Sequence, residues 1–257
     1  MQTLHTVLVQ PNTIWHDPLA NQELIAERLN HPKKRGQLIV LPEMWATGFT
    51  MTPDQVAETS DGSSVRWMQQ QAKKHKAAVC GSLAIKENQK FYNRFFFVHP
   101  DGHINTYDKY HPYTPSGEAR VYAAGTKPIT FEYLGWSIRP IICYDLRFPV
   151  FCRINDDYDL LICVANWPAA RIQAWDTLLR ARAIENMAYT IGVNRIGRDA
   201  YRLDYPGHSA AYNALGDCEG IADKNQFLTH IVLDQSKLIT TREKLPFLED
   251  RDAFTLE

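Results

Sequence analysis

No stretch of the sequence approaches the roughly 18 consecutive apolar residues that a transmembrane helix requires. The first ten residues also lack the basic segment and the long apolar segment of a secretory signal peptide. We therefore expect a cytoplasmic protein that does not act at a membrane.

An excess of charge of either sign is also missing. The sequence has 28 lysine and arginine residues against 29 aspartate and glutamate residues, for a formal net charge of -1 at pH 7. Proteins that bind nucleic acid ordinarily carry a basic surface. We therefore expect no nucleic-acid partner.

The five cysteines lack the patterns of disulfide pairs and of zinc ligands. Their number is odd, no two form a CxxC motif, and none shows zinc-ligand spacing. Reduced thiols and no metal site are expected. At 257 residues the chain is long enough for one large α/β domain and short for two, so we expect a single domain over residues 1–257.

Several catalytic motifs are absent. The sequence has no GxSxG motif of serine hydrolases, no HExxH motif of zinc peptidases and no glycine-rich phosphate loop. The short signature around the nucleophile of papain-type peptidases is missing, and the nine histidines are scattered. We interpret His111 as a hydrogen-bonded loop residue rather than as a base.

The order of predicted elements indicates the fold class. Apolar strand-like segments alternate with segments of helical spacing, such as the helices predicted over residues 64–75 and 171–188. Hairpins around Asp101-Gly102 and around Gly135 require antiparallel pairing. The sequence therefore predicts an α/β fold with mixed sheets, and it excludes a purely parallel wound sheet.

Three strand-like segments end on residues of different reactivity. An apolar segment ends at Cys143, another apolar segment runs through Pro42 to Glu43, and a strand-like segment of mixed polarity ends at Lys109. A turn out of a strand exposes a side chain and points the following N–H groups at the same place. A lone cysteine is more often a small buried hydrophobic residue, so the set of three carries the functional interpretation.

These three residues suit acyl transfer. A thiol is a competent nucleophile only as its thiolate, and Glu43 can take the proton from Cys143. Lys109 and the backbone N–H of Tyr144 can stabilise the anionic oxygen of a tetrahedral intermediate, at about 3–4 kcal/mol for each donor. This chemistry needs neither a metal nor an organic cofactor.

Other residues near the strand ends are candidates for substrate binding. Trp45 and Trp167 lie in apolar loops and are candidate walls of a pocket, although packing on the core is the alternative. Arg171 and Arg195 follow strand-end loops and are candidate partners of a substrate carboxylate, because a guanidinium group binds carboxylates in bidentate fashion. Surface ion pairs or a bracing role are the alternatives for both arginines. Asp145 and Arg147 are expected to hold the nucleophile loop by pairing rather than to touch substrate.

The residues around the three strand ends resemble a known family. Leu41-Pro42-Glu43-Met44, Tyr107-Asp108-Lys109-Tyr110-His111 and residues 143–149 are similar to the three signature blocks of the nitrilase (carbon-nitrogen hydrolase) superfamily. The resemblance covers essentially the whole chain. Residues 165–168 together with residues 182–186 resemble the omega-amidase branch, whose members hydrolyse monoamides of dicarboxylic acids such as 2-oxoglutaramate.

The resemblance implies a four-layer α-β-β-α sandwich. It also implies Glu43 as general base, Lys109 as the group that stabilises the oxyanion or donates a proton, and Cys143 as nucleophile. Glu118 falls where the family carries a second glutamate that orients the lysine, although residues 112–117 depart from the family pattern. A small amide substrate, no cofactor and a homodimer are further implications. Alternatives are hydrolysis of other aliphatic amides, nitriles or N-carbamoyl amines, or a non-catalytic binding protein on the same fold.

Overall fold

The structure is a computed structural model that describes residues 2–30, 36–153 and 158–255. The strands within these ranges are β1 (Thr3–Val9), β2 (Leu38–Val40), β3 (Ala78–Glu87), β4 (Lys90–Val98), β5 (Ile104–Asp108), β6 (Phe131–Tyr133), β7 (Trp136–Ile142), β8 (Leu160–Ala165), β9 (Tyr189–Asn194), β10 (Ile196–Arg198), β11 (Asp204–Pro206), β12 (Ala210–Tyr212), β13 (Cys218–Ile221) and β14 (Leu228–Asp234). The α-helices are α1 (Pro18–Leu29), α2 (Ser63–His75), α3 (Glu118–Val121), α4 (Pro149–Cys152), α5 (Ile172–Glu185) and α6 (Gln235–Lys244).

Two six-stranded mixed sheets form the centre of the molecule. The strand orders are β14-β1-β2-β3-β4-β5 and β13-β12-β9-β8-β7-β6. In each sheet three central strands pair in parallel, β1-β2-β3 in the first and β7-β8-β9 in the second, and the outer strands pair antiparallel. The predicted hairpins β4-β5 and β6-β7 are present.

The layers follow from the alternation of side chains along the strands. Leu4 and Leu8 of β1 belong to the apolar cluster that also contains the strands of the second sheet. Val7 and Val9 of the same strand belong to a separate cluster with Ile25 of α1 and with side chains of α2. One face of the first sheet therefore packs on the second sheet and the other packs on helices.

The outer face of the second sheet is covered by α5. Trp175 and Leu179 of this helix join the central apolar cluster. Gly192 of β9 permits the close approach, because a Cβ atom there would lie 2.3 Å from Cδ1 of Leu179. The predicted α-β-β-α sandwich is confirmed. The helix predicted over residues 171–188 is shorter, because residues 169–171 form a 3-10 turn and the helix ends before Asn186.

Strand direction places the three reactive residues at one edge. The strands β2 and β5 run in the same direction, because β3 is parallel to β2 and two antiparallel pairings separate β3 from β5. Glu43 and Lys109 therefore follow the carboxyl ends of strands at the same edge of the first sheet. Cys143 follows the carboxyl end of β7, a parallel strand of the second sheet.

A two-stranded ribbon of β10 and β11 stands outside both sheets. It begins directly after Arg195 at the end of β9 and carries the loop of residues 199–203 at its tip. In the described ranges, no helix combines the length and the apolar character needed to cross a bilayer.

Candidate active site

A buried ion cluster lies at the shared edge of the sheets. The ammonium group of Lys109 donates hydrogen bonds to Oε1 of Glu43 and to Oε2 of Glu118, both at 2.8 Å. The three side chains are at most 1% exposed. Both carboxyl groups are therefore engaged by a single cation.

The charged groups of the cluster shift one another's pKa values. Burial by itself would lower the pKa of Lys109, but the carboxylates of Glu118 and Glu43 outweigh it and hold that pKa well above its ordinary value. Burial raises the pKa of Glu118, Lys109 opposes this effect, and the neighbouring charge of Glu43 adds to it. Lys109 is therefore a permanent cation shared by two carboxyl groups.

The thiol of Cys143 lies at the start of the 3-10 turn that follows β7. Its backbone φ of 46° falls in the left-handed region that residues other than glycine rarely adopt, a strain that recurs at functional sites. Burial raises the pKa of this thiol well above its ordinary value, Glu43 raises it further, and Lys109 acts in the opposite direction. The thiol is therefore protonated at neutral pH and needs a base when it attacks.

The turn that carries the nucleophile is held by Asp145. The buried carboxylate of Asp145 accepts hydrogen bonds from the hydroxyl of Tyr107 at 2.7 Å and from the backbone N–H groups of Ile142 and His111 at 3.0 and 2.9 Å. The ring of His111 stacks on Phe148 with centroids 3.7 Å apart. The interpretation of His111 as a loop residue and of Asp145 as a brace of the loop is confirmed.

Two asparagines join the cluster without having been predicted. The side-chain amide of Asn93 donates to Glu43 at 2.8 Å and to Glu118 at 3.1 Å. The backbone N–H of Asn166 donates to Oε2 of Glu43 at 2.8 Å, and its side-chain amide donates to the carbonyl of Glu43. A signal for Asn93 was present in the sequence, because this polar residue shares the inward face of β4 with Phe95.

A cavity of about 430 Å³ opens over Cys143. Its lining is mostly aromatic and apolar, with arginines at two positions, and consists of Phe49, Met51, Tyr113, Ser116, Cys143, Tyr144, Arg147, Asn166, Trp167, Pro168, Arg171, Asp199, Tyr201, Leu203 and Tyr205. The lining includes the predicted substrate-binding residues Trp167 and Arg171, and also Tyr144, whose backbone N–H is expected to contact the substrate oxyanion.

Two other predicted substrate-binding residues lie elsewhere. Trp45 is fully buried in the core, where its ring lies 4.9 Å from that of Trp67. Arg195 is fully buried, and its guanidinium group donates to the backbone carbonyls of Thr13 and Ile196. Neither side chain is part of the cavity lining, because each turns into the protein from its strand-end position. The expected pocket roles of Trp45 and Arg195 are corrected accordingly.

Arg147 was expected to pair within the nucleophile loop and instead lines the cavity. Its guanidinium carbon lies 4.9 Å from the ring centroid of Trp167, and that of Arg171 lies 5.5 Å from the ring of Tyr113. Across the residues that the structure describes, neither arginine forms an ion pair with a carboxylate. The cavity therefore combines aromatic walls with two cations that have no carboxylate partner in the described part of the chain.

This arrangement provides the parts of an acyl-transfer site. A protonated thiol faces a cavity, a carboxylate lies beside that thiol, and a buried ammonium group lies within 2.8 Å of the carboxylate. The structure brings Glu43, Lys109, Glu118 and Cys143 together, while their catalytic roles remain predictions.

Sequence comparisons agree with this geometry. The model of the carbon-nitrogen hydrolase family matches residues 7–241. The chain is 40% identical to the omega-amidase YafV of Yersinia enterocolitica over 257 residues, with all of both chains covered. It is 30% identical to the 2-oxoglutaramate amidase of Bacillus subtilis over 222 residues, which cover 84% of this chain and 85% of that protein.

A solved structure is similar over the full length. The protein XC1258 from Xanthomonas campestris, a carbon-nitrogen hydrolase superfamily member whose crystal structure has an arsenic adduct in the active site, superposes with a TM-score of 0.97. The two chains are 38% identical, and each is covered completely. By its sequence, its strand-end residues and its sandwich of two mixed sheets, this chain belongs to the carbon-nitrogen hydrolase family.

Proposed function

We propose that the protein is a cysteine-dependent amidohydrolase that releases ammonia from the ω-amide of small dicarboxylic acid monoamides such as 2-oxoglutaramate. The observation that carries the proposal is the convergence of Glu43, Lys109 and Glu118 next to Cys143 at the base of the cavity. The omega-amidase and 2-oxoglutaramate amidase relatives support the class of substrate.

In the first half of the reaction, Sγ of Cys143 attacks the amide carbonyl carbon and Glu43 takes the thiol proton. Lys109 has three N–H groups, and it contacts Glu43 at 2.8 Å and the two oxygens of Glu118 at 2.8 and 3.1 Å. In the proposed step the longest of these hydrogen bonds is exchanged for one to the developing oxyanion. The backbone N–H of Tyr144 is the second proposed donor. Glu43 then passes its proton to the leaving nitrogen, the C–N bond breaks, and ammonia leaves a thioester on Cys143.

In the second half, a water molecule attacks the thioester. Glu43 takes a proton from this water, the C–S bond breaks, and the thiolate of Cys143 recovers the proton as the carboxylic acid product leaves. Glu118 and Asn93 take no part in bond breaking in this scheme. They position Lys109 and Glu43 through the hydrogen bonds described above.

The proposed anchor for the substrate carboxylate is Arg171, with Trp167 and Tyr144 as walls of the cavity. Arg171 has no carboxylate partner among the residues that the structure describes, and a guanidinium group of this kind in an aromatic cavity favours a substrate that supplies the carboxylate. Nitriles and N-carbamoyl amines need not contain a free carboxylate, whereas every dicarboxylic acid monoamide does. The two arginines therefore favour acid monoamides over nitriles and N-carbamoyl amines as substrates.

The test is the variant Cys143→Ala. We expect ammonia release from 2-oxoglutaramate to fall at least about 10³-fold, because the nucleophile is gone. The exposed Cys218 serves as a matched control, and Cys218→Ala should keep the parent rate. Thermal unfolding should show both variants folded. An alanine variant at position 143 that still turns over 2-oxoglutaramate would end the proposal.

A substrate panel separates the rival classes. Ammonia release is compared for 2-oxoglutaramate, glutaramate, an aliphatic nitrile and an N-carbamoyl amine, with the two acid monoamides expected to be the best substrates. Stoichiometric labelling of Cys143 by an electrophile tests the non-catalytic alternative. A protein whose Cys143 is not labelled and that hydrolyses none of these compounds would support a binding role instead.

We further infer that the enzyme works in the cytoplasm as a homodimer, with thiols that stay reduced. The family resemblance and the unpaired set of five cysteines support this inference. Light scattering coupled to size-exclusion chromatography should report a mass near twice 29.5 kDa. A mass of one chain at micromolar concentration would contradict the dimer.

A further inference from the structure

The cavity holds more cationic groups than one carboxylate needs. Arg147 and Arg171 both line it, each lies over an aromatic ring, and each lacks a carboxylate partner among the described residues. The proposed substrates carry a single free carboxylate, which one guanidinium group can bind through two hydrogen bonds. The second guanidinium group is therefore available for another feature of the substrate.

Trp167 connects the two arginines. Its ring lies under the guanidinium group of Arg147, and its Nε1–H donates to the backbone carbonyl of Arg171 at 2.8 Å. The hydrogen bond fixes the plane of the ring, and the ring in turn fixes the position of the cation above it. Trp167 thus supports the guanidinium group of Arg147 and is itself held by the backbone of Arg171, whose own guanidinium group lies over Tyr113.

Arg147 belongs to the same 3-10 turn as the nucleophile, four residues after Cys143. Arg171 comes from a separate 3-10 turn after β8. Arg147 is therefore carried by the same turn as the nucleophile, whereas Arg171 reaches the cavity from a different element.

The one carboxylate in the cavity lining is already engaged. Asp199 accepts a hydrogen bond from the backbone N–H of Leu203 on Oδ1 and from the hydroxyl of Tyr205 on Oδ2, both at 2.9 Å. These bonds tie Asp199 to the loop and second strand of the β10-β11 ribbon. Among the described residues Arg147 forms no ion pair with a carboxylate, so its charge is available to a molecule in the cavity.

We propose that Arg147 is a specificity-determining residue that contacts the substituent on carbon 2 of the substrate, while Arg171 binds the carboxylate. This inference rests on the proposed function. A 2-oxo group accepts a hydrogen bond from Arg147, whereas the ammonium group of a 2-amino acid has no lone pair to offer and is repelled by the guanidinium charge. The site therefore admits 2-oxo acid monoamides and rejects L-glutamine, through an attractive and a repulsive element together.

The test compares kcat/KM for 2-oxoglutaramate, glutaramate and L-glutamine in the parent enzyme and in Arg147→Gln and Arg171→Gln. The parent should prefer 2-oxoglutaramate over L-glutamine by on the order of 10²-fold or more. Arg147→Gln should reduce this ratio at least about 10-fold, with a gain or no loss for L-glutamine. Arg171→Gln should lower all three values together, because all three substrates carry the carboxylate.

Arg180→Gln is the matched control. Arg180 lies over the ring of Tyr212 at 5.3 Å in a similar arrangement, but it stands on α5 and outside the cavity lining. All three kcat/KM values should be unchanged in this variant. An Arg147→Gln enzyme with the parent ratio of 2-oxoglutaramate to L-glutamine overturns the inference, as does a parent enzyme that takes L-glutamine equally well.

A binding measurement keeps this test independent of catalysis. Calorimetry compares 2-oxoglutaramate with L-glutamine on Cys143→Ala and on the double variant Cys143→Ala/Arg147→Gln. We expect the preference for the 2-oxo compound to disappear in the double variant, and an unchanged preference overturns the inference. A parent enzyme that releases no ammonia from any amide contradicts the proposed function alone, because the binding preference still reports on Arg147.

Discussion

At the scale of single residues, the central feature is a lysine shared by two buried carboxyl groups. Lys109 contacts both Glu43 and Glu118, and all three are removed from water. Removing one member of a buried ion cluster lowers the free energy of unfolding by far more than the intact cluster adds to it, because the remaining charges stay buried without a partner. Lys109 is therefore a structural requirement of the site as well as its proposed oxyanion donor.

We predict that Lys109→Met lowers the free energy of unfolding by about 3–5 kcal/mol at pH 8, because two carboxylates lose their shared cation. Without Lys109, the effect that opposes the raised pKa of Glu118 is gone. A carboxyl group whose folded pKa is raised contributes its stability below the unfolded pKa and loses it as the pH rises. The deficit of Lys109→Met should therefore be smaller at pH 5 than at pH 8, as measured by urea unfolding.

The double variant Lys109→Met/Glu118→Gln separates stability from catalysis. It should recover part of the lost stability at pH 8, because one of the two unpaired charges is gone, and it should remain without ammonia release. A Lys109→Met protein as stable as the parent at pH 8 would show that the two carboxyl groups do not depend on this cation.

At the scale of elements, the site depends on where strands end. The end of β5 is held by Gly125, whose N–H donates to the carbonyl of Lys109 at 2.8 Å. A Cβ atom on Gly125 would stand 2.1 Å from the carbonyl oxygen of Asp108, the last residue of β5. The clash would be with backbone, which cannot move aside as a flexible side chain could. The chain can therefore lie this close to the end of β5 only if position 125 is glycine.

We predict that Gly125→Ala displaces the end of β5 and Lys109 with it. Stability should fall by about 1–3 kcal/mol, the usual cost of forcing extra volume into a packed site. The rate of ammonia release per folded molecule should fall at least about 10-fold, because a small misplacement of a catalytic group is costly. Steady-state kinetics together with denaturant unfolding measure the two effects.

Gly102→Ala is the control for this substitution. Gly102 lies in the turn between β4 and β5 with a φ of +95°, and a Cβ atom there would meet no atom within 4 Å. Strain in the left-handed region should lower stability by roughly 1–2 kcal/mol without touching the site. Equal loss of turnover in both glycine variants would contradict a specific role of Gly125.

At the scale of the whole molecule, the core between the sheets buries several ionisable groups in neutral form. Burial raises the pKa of Cys80 and Cys163 well above the ordinary thiol value and that of Cys152 to about 12. Burial likewise raises the pKa of Tyr107 and Tyr158. As the pH rises, these groups therefore lose their protons at a much lower pH in the unfolded chain than in the folded protein.

The consequence is a loss of stability in alkali. Below a pH of about 8.5 the thiols are protonated in both states and the stability is fully present. Above that pH the unfolded state binds fewer protons than the folded state, so each buried thiol lowers the free energy of unfolding by about 1.4 kcal/mol per pH unit.

We predict that Cys80→Ala makes this alkaline slope shallower by about 1.4 kcal/mol per pH unit between pH 9 and 10. Cys80 is suited to the test because burial alone raises its pKa. Guanidinium unfolding at a series of pH values gives the slope, which is independent of any cavity that the substitution leaves. Cys218→Ala should keep the parent slope, since Cys218 is exposed. An unchanged slope in Cys80→Ala would contradict the prediction.

Much of the fold and the centre of the site could be predicted from the sequence. The mixed sheets follow from local signals, such as the Asp101-Gly102 turn that joins β4 to β5. Glu43, Lys109 and Cys143 were recognisable because each follows the end of a predicted strand, and strand ends are encoded locally. The match to family signature blocks then supplied Glu118, which no local pattern distinguishes.

The direction of each side chain at the site was decided by tertiary structure. Arg195 and Arg147 both follow strand ends, yet Arg195 turns into the core beside Thr13 while Arg147 turns onto Trp167 in the cavity. Asn93 bridges the two carboxylates only because β4 pairs next to β3. The sequence by itself determined which reactive groups stand at strand ends. Which of them share a cavity was settled by contacts between residues far apart in the chain, which local patterns do not encode.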